Sequence, residues 1–480
     1  MTMRSLALIL LSATLLACGK PEAVTQSADT AIAKNVILFI GDGMGVSTVT
    51  ATRIFDGQSK GGTGEENQLS FERFPHLALV KTYNTNQQVS DSAGTATAMM
   101  TGRKTKAGVV NIGPDAARGS CEDALANPLT TIADQAKDRG KAVGVVTTTR
   151  LSHATPAAVY AKSPERDWEG DEFLPPANRE KGCRDIAWQF ANYERGGGID
   201  VALGGGSNQF YGRALGGKRR TADENLAEEW LQGGPGRRFV ENSLQLEALQ
   251  PGGPVLGLFS RSHMQYIARR DPGDEQPMLS EMTAKAIDLL EPKEKGYFLM
   301  VEGGRIDHGH HIGKAGYALL EAQEFAKAVQ VAVDKVNLEE TLVLVTADHS
   351  HVFTFGGYAT RGNPILGHVV RNDDSGKPTG KPDIAADGRP YGSLQYANGP
   401  GAPQEVPRPE PETGIEAIQQ ALVPTQSVRI DGDIEISETH AGEDVALYAV
   451  GPGAEAVRGV LEQNRIYDIM INALGWTEAR

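Results

Sequence analysis

The chain has 480 residues, 40% of them hydrophobic and 22% charged, with a formal net charge of -14. A compact chain of this length buries roughly three-quarters of the surface that its unfolded form exposes, which excludes disordered, collagen-like and coiled-coil classes. The acidic balance gives no global basic footprint, so no nucleic acid is expected as a specific partner, while a local positive pocket for a phosphate remains compatible with it.

The N-terminus reads as a targeting segment. Arg4 supplies a positive start, and Ser5 to Ala17 is apolar but too short to span a bilayer as a normal helix. The run ends in Leu15-Leu16-Ala17-Cys18-Gly19, which resembles the bacterial lipoprotein signal, with Cys18 as the acylated first residue. The alternative is an ordinary secretory signal with an incidental cysteine. The expectation is a signal peptide over 1–17, a polar tether over 18–33, and a lipid-anchored protein of the periplasm or cell envelope. Gly19 after the cysteine favours the outer membrane over the inner. Membrane contact is expected only through that anchor. Export leaves Cys121 and Cys183 in an oxidising compartment, where an even pair favours a disulfide, and their spacing is not that of zinc ligands.

Further along, Asn35 to Ile40 is a continuous apolar run of strand length, closed by a turn at Gly41-Asp42-Gly43. Ala142 to Val146, Tyr297 to Val301, Leu342 to Val345 and Val445 to Val450 are similar. Apolar runs without alternation suit strands covered on both faces. Gly316 to Val336 has apolar residues at helical spacing. The predicted class is α/β, a three-layer sandwich with a central, mostly parallel sheet flanked by helices. From Arg361 to Gly432 prolines become dense and strand runs weak, so 361–432 reads as an irregular insertion. The α/β body is then 34–360 together with 433–480.

In an open α/β sheet, ligands sit outside the carboxyl ends of the strands. Those ends carry Asp42, then Thr147 to Thr155, then Glu302 followed by Arg305-Ile306-Asp307-His308-Gly309-His310-His311, then Asp348-His349-Ser350-His351. His440 precedes the last strand. Of ten histidines, His153, His308, His310, His311, His349, His351 and His440 lie in these segments. Packing alone rarely gathers imidazoles beside carboxylates at one sheet edge, so a metal site is expected there. Asp307 and His311 are four apart, close enough for one helical turn to aim both at one ion.

Val89-Ser90-Asp91-Ser92-Ala93-Gly94-Thr95-Ala96-Thr97-Ala98 is a run of small residues. Ser92 can sit at the N-terminus of a helix, where backbone N–H groups favour an anion; a plain serine cap would look the same. A serine hydroxyl is a weak nucleophile unless a base or metal activates it, and no Gly-x-Ser-x-Gly elbow accompanies it.

These segments closely resemble alkaline phosphatases: Gly41-Asp42-Gly43-Met44-Gly45, Asp91 to Ala98, His153-Ala154-Thr155-Pro156-Ala157-Ala158, Val301 to His311, Thr346 to Tyr358, and Ser437-Glu438-Thr439-His440-Ala441-Gly442-Glu443-Asp444. The resemblance runs from about Asn35 to about Leu474 and is nearer to the animal-type branch. It implies hydrolysis of phosphate monoesters, with Ser92 as the nucleophile that becomes a phosphoserine, flanked by Asp91. It implies two zinc ions, one on Asp307, His311 and His440 and one on Asp42, Asp348 and His349. A magnesium ion would take Asp42, Thr155 and Glu302. Arg166, in Glu165-Arg166-Asp167-Trp168, matches the phosphate-clamping arginine. His153 and His308 match positions near the magnesium and the phosphate, His351 would orient a metal ligand, and His310 is left as structural. The family often bridges the positions of Cys121 and Cys183, and a homodimer follows by analogy alone. One departure stands out. Where animal-type enzymes carry a Phe-Glu pair of a calcium site, this chain reads Phe259-Ser260, so no calcium site, or a much weaker one, is expected. The competing readings are a metal hydrolase of diesters or sulfates and a non-catalytic phosphate- or zinc-binding lipoprotein.

Overall fold

A computed structural model describes residues 32–221, 223–402 and 437–476. Cys18, the signal segment, the tether up to residue 31, and residues 403–432 of the insertion lie outside the described residues. Ten strands form the main sheet: β1 (Asn35–Gly41), β2 (His76–Lys81), β3 (Ala142–Arg150), β4 (Val201–Gly205), β5 (Arg238–Val240), β6 (Val255–Leu258), β7 (Tyr297–Glu302), β8 (Thr341–Ala347), β9 (Val445–Val450) and β10 (Arg458–Glu462). Their order is β10-β2-β9-β8-β1-β7-β3-β4-β6-β5. β9 runs antiparallel to β8 and β2, and the other pairings are parallel. The fold is α/β, a large mostly parallel sheet with helices packed against it.

The continuous apolar runs are the centre of this sheet. β1, β7 and β8 are buried along their whole lengths. Phe39 of β1 meets Phe325 of the helix Ala315–Lys335 edge-on at 5.8 Å. The strands that the apolar-run criterion passes over lie outward. β2 alternates, with Leu77 and Leu79 exposed, and β10 is an exposed edge strand that contains Gly459. β4, β5 and β6 are only five, three and four residues long.

Register sets the site. Ile40 pairs with Glu302, Gly41 with Ala347, and Thr147 with Glu302. The carboxyl ends of β3, β7, β1 and β8 therefore lie side by side. A two-stranded ribbon, Ser350–His351 against His440–Ala441, brings His440 opposite His351. In the described part of the insertion, Leu394–Tyr396 pairs with Phe353–Phe355, and Ile365 packs with Ala51, Ile54, Leu319 and Phe353. Cys121 and Cys183 form a disulfide, their Cα atoms 5.8 Å apart. No helix among the described residues is long and apolar enough to cross a membrane.

Candidate metal centre and active site

Ser92 opens the helix Ser92–Thr101, but Asp91 is the cap: its Oδ1 accepts from Gly94 N–H at 3.1 Å. The Ser92 hydroxyl is thus free of capping and lies 3.1 Å from His349 Nε2. Asp91 is a busy carboxylate that also accepts from Asn84 Nδ2 at 2.9 Å, Gly108 N–H at 2.8 Å and Arg166 Nη1 at 3.1 Å. The other end of Arg166 donates from Nη2 to His153 Nε2 at 3.2 Å. Burial works against the Arg166 charge, but Asp91, Asp167 and Asp42 outweigh it and hold its pKa above the ordinary value.

Two neighbouring clusters of ligand atoms lie beside Ser92. In the first, the atoms of Asp307, His311, His351 and His440 are all within 4.8 Å of one another. Asp307 and His311 share the helix Arg305–His311, and His311 Nε2 is 3.3 Å from Asp307 Oδ1. His440 Nε2 is 3.4 Å from the same oxygen and 3.1 Å from His311 Nε2. The opposite ring nitrogens explain this convergence. His440 Nδ1 donates to Ser90 O at 2.8 Å, and His311 Nδ1 faces Glu438 O at 3.1 Å and Ser437 Oγ at 2.9 Å. With Nδ1 carrying the proton, both Nε2 lone pairs are left to face Asp307. Burial, with the neighbouring His351 and His440, takes His311 down to about 3, against the opposing pull of Asp307.

The second cluster joins Asp42, Asp307 and His349. His349 Nε2 is 3.4 Å from Asp42 Oδ1 and 3.3 Å from Asp348 Oδ2. Asp348 Oδ1 is held by Gly43 N–H at 3.0 Å and His349 N–H at 2.9 Å. A third grouping joins Asp42, Glu302 and His153. Glu302 Oε2 accepts from Thr147 and, at 3.1 Å, from Thr149. Thr155 lies on the helix Ala154–Ala157. Burial first, then Asp348, Asp307 and Glu302, raise Asp42 well above the carboxylate range, and burial pushes Glu302 up to about 7.

Whether these residues fit cations can be judged from their unsatisfied atoms. Both oxygens of Asp42, Oδ2 of Asp348, Oε1 of Glu302 and Oγ1 of Thr155 are buried and have no hydrogen-bond partner among the described residues. Buried polar atoms are ordinarily paired, and gathered carboxylates repel. A divalent cation removes both penalties at once. Imidazole with carboxylate suits zinc, and an all-oxygen set suits magnesium. The donor chemistry fits.

A family model for alkaline phosphatase matches residues 33–476. The chain belongs to the alkaline phosphatase family. It is a phosphatase, and phosphate monoesters are its substrates. Alkaline phosphatase, tissue-nonspecific isozyme, of Felis catus is 43% identical over 463 residues, covering 93% of this chain and 85% of that protein. The alkaline phosphatase of Gadus morhua is 41% identical over 455 residues, covering 92% and 91%. The alkaline phosphatase structure from Thermus thermophilus superposes with a TM-score of 0.65 at 24% identity, covering 97% of this chain and 96% of that one. At that identity the likeness bears on the fold alone.

The contacts bring Asp42, Asp91, Ser92, His153, Arg166, Glu302, Asp307, His308, His311, Asp348, His349, His351 and His440 into this neighbourhood, and Thr155 follows two residues after His153. His351 Nε2 lies 2.6 Å from Asp307 Oδ1. His310 is engaged at both nitrogens, by Thr48 Oγ1 at 3.0 Å and Tyr396 Oη at 2.9 Å. His308 packs 5.5 Å from His153. Ser260 Oγ donates to Ser262 O at 2.7 Å. Three residues at the site carry no role in the sequence reading. Glu438, fully buried, takes His351 Nδ1 on its Oε1. His263 packs 4.2 Å from His308, and Arg150 Nη1 lies 2.5 Å from His263 Nε2. Glu438 sits inside a quoted motif, two residues before His440, which was the available signal; His263 lies on an irregular loop with none.

Proposed function

We propose that the chain hydrolyses phosphate monoesters through a phosphoserine on Ser92, at a site holding two zinc ions and one magnesium ion. The observation that carries this is the Ser92 hydroxyl, uncapped and 3.1 Å from His349 Nε2, beside buried carboxylate oxygens that lack partners. Asp307, His311 and His440 would hold one zinc, and Asp42, Asp348 and His349 the other. Asp42, Glu302 and Thr155 would hold the magnesium. Bound there, the cations would favour the ionised serine and offset charge on the transferring group.

Ser92 Oγ gives up its proton and attacks phosphorus, the bond from phosphorus to the ester oxygen breaks, and that oxygen takes up a proton as the alcohol leaves. A water gives up a proton and attacks the phosphoserine, the Ser92 Oγ–phosphorus bond breaks, Ser92 Oγ takes up a proton, and inorganic phosphate departs. Two in-line displacements give retention at phosphorus. The fork of Arg166, held by Asp91 and His153, is matched to two phosphate oxygens. The first N–H groups of the helix Ser92–Thr101 favour the same anion. The same reading puts the protein in the cell envelope, lipid-anchored at Cys18, and assembles it as a homodimer. The anchor rests on the N-terminal sequence and the dimer on family analogy.

A panel of aryl phosphate monoesters, diesters and sulfates, run with Ser92→Ala beside the wild type, tests this. Monoester hydrolysis that falls on the order of a thousandfold in the variant is expected. Wild type and variant equally inactive on monoesters would end the reading. Chelation should abolish activity, and zinc with magnesium should restore it; recovery with calcium alone would contradict the metal assignment.

A further inference from the structure

Three guanidinium groups border the imidazoles of His153, His263 and His308. Two have counter-ions. Arg150 meets Glu169 with Nη2 at 2.6 Å and Nε at 2.8 Å, and Arg166 meets Asp91 at 3.1 Å. Arg305 has no carboxylate within ion-pair distance among the described residues. Its Nη1 donates to His308 Nδ1 at 2.8 Å, its guanidinium carbon lies 3.6 Å over the ring of Tyr266, and its Nε is buried without a partner. Glu321 and Asp307, the carboxylates that attract it, lie beyond ion-pair distance, and Glu321 accepts from Ile267 N–H at 2.8 Å.

A half-buried guanidinium without a counter-ion is costly, and side chains in that state are usually paired. Tyr266 holds the cation in place without neutralising it. Arg305 also opens the helix that carries Asp307 and His311, and its N–H donates to Thr148 Oγ1 at 3.2 Å, so its place relative to the site is fixed. A run of contacts, Arg166 to His153 to His308 to Arg305, joins the phosphate-clamp arginine to this unpaired one. The charge is therefore linked to the phosphate-clamp arginine through two imidazoles and does not touch it directly.

We propose that Arg305 is a specificity-determining residue that receives a second anionic group, a carboxylate or phosphate carried by the leaving group of the monoester. The inference rests on the function proposed above. A planar guanidinium suits either oxyanion. Favoured substrates are monoesters whose alcohol bears an acidic group a few bonds from the ester oxygen.

The test compares kcat/KM for 3-carboxyphenyl phosphate with that for its neutral 3-carbamoyl counterpart, in the wild type, Arg305→Gln and Arg305→Lys. The acidic-to-neutral ratio should fall on the order of tenfold in Arg305→Gln, through KM, and recover in Arg305→Lys. The corresponding phosphonates, as competitive inhibitors, should give the same ratio in Ki, so a variant with weak turnover still reports. An unchanged ratio, or equal losses on both substrates, would overturn the inference and leave the function standing. No hydrolysis of either ester by the wild type would overturn both.

Discussion

Around Arg220 a buried charge is fully engaged, whereas at the carboxyl ends of β1, β7 and β8 it is not. Arg220 is 1% exposed, and its three nitrogens reach Asp185 Oδ1 at 2.6 Å, Glu224 Oε2 at 2.8 Å and Gln209 O at 3.1 Å. Asp171 beside it accepts from Thr221 N–H at 2.6 Å and from its hydroxyl at 2.7 Å. That cluster ties the loop after β4 to the helix Ile186–Ala191, and its charges are paired within the chain. The cluster of Asp42, Asp348 and Glu302 leaves buried oxygens unpartnered. Paired charges mark a structural network; gathered carboxylates with unpartnered oxygens mark a place for an ion.

Substitution should separate the two regions. Asp42→Asn has the largest expected effect, a loss of monoester hydrolysis on the order of a thousandfold with a fall in metal content per chain, because the residue serves two clusters. It should leave the chelated protein no less stable, since it removes a buried charge that repels its neighbours. A chelated variant that melts well below chelated wild type would break the distinction. Arg220→Met should do the reverse, costing about 3–5 kcal/mol by stranding Asp185, while metal content by elemental analysis stays at the wild-type level. Loss of metal in that variant would show the regions to be one network.

Glu321 sharpens the contrast, as a buried carboxylate outside both clusters. Burial pushes it up to about 7. A raised carboxyl contributes stability that is full below the unfolded value near 4.3 and is lost as pH rises through about 7. Glu321→Gln should match the wild type in thermal unfolding at pH 5 and exceed it by roughly 2–3 kcal/mol at pH 8.5. No gain at high pH would refute the assignment. The smallest effect is at Glu438, whose carboxylate takes His351 Nδ1 while the same ring's Nε2 meets Asp307, and lies 3.8 Å from His311 Nδ1. Glu438→Gln should weaken zinc retention in competition with a chelator by at least about tenfold, without loss of fold.

The centre of the sheet was readable because β1, β7 and β8 are apolar on both faces, which periodicity captures. β2 and β10 were not, because β10 is an edge strand and both turn residues to water, which weakens the apolar signal. The site was readable because strand ends are fixed by the strands and because histidines cluster at them. Asp91, and not Ser92, proved to be the helix cap, a choice that local sequence leaves open since both residue types cap helices well. Glu438 meets His351 from 87 positions away, and His263 arrives on a loop; such contacts are set by tertiary packing and leave no periodic trace.

The central claim is that the oxygen of Ser92 takes the phosphoryl group. Turnover of a monoester labelled in its phosphate, quenched in acid and mapped by peptide, tests it directly. Label on the peptide that contains Ser92, absent from Ser92→Ala, is the predicted result; steady hydrolysis with no label on the protein would contradict it.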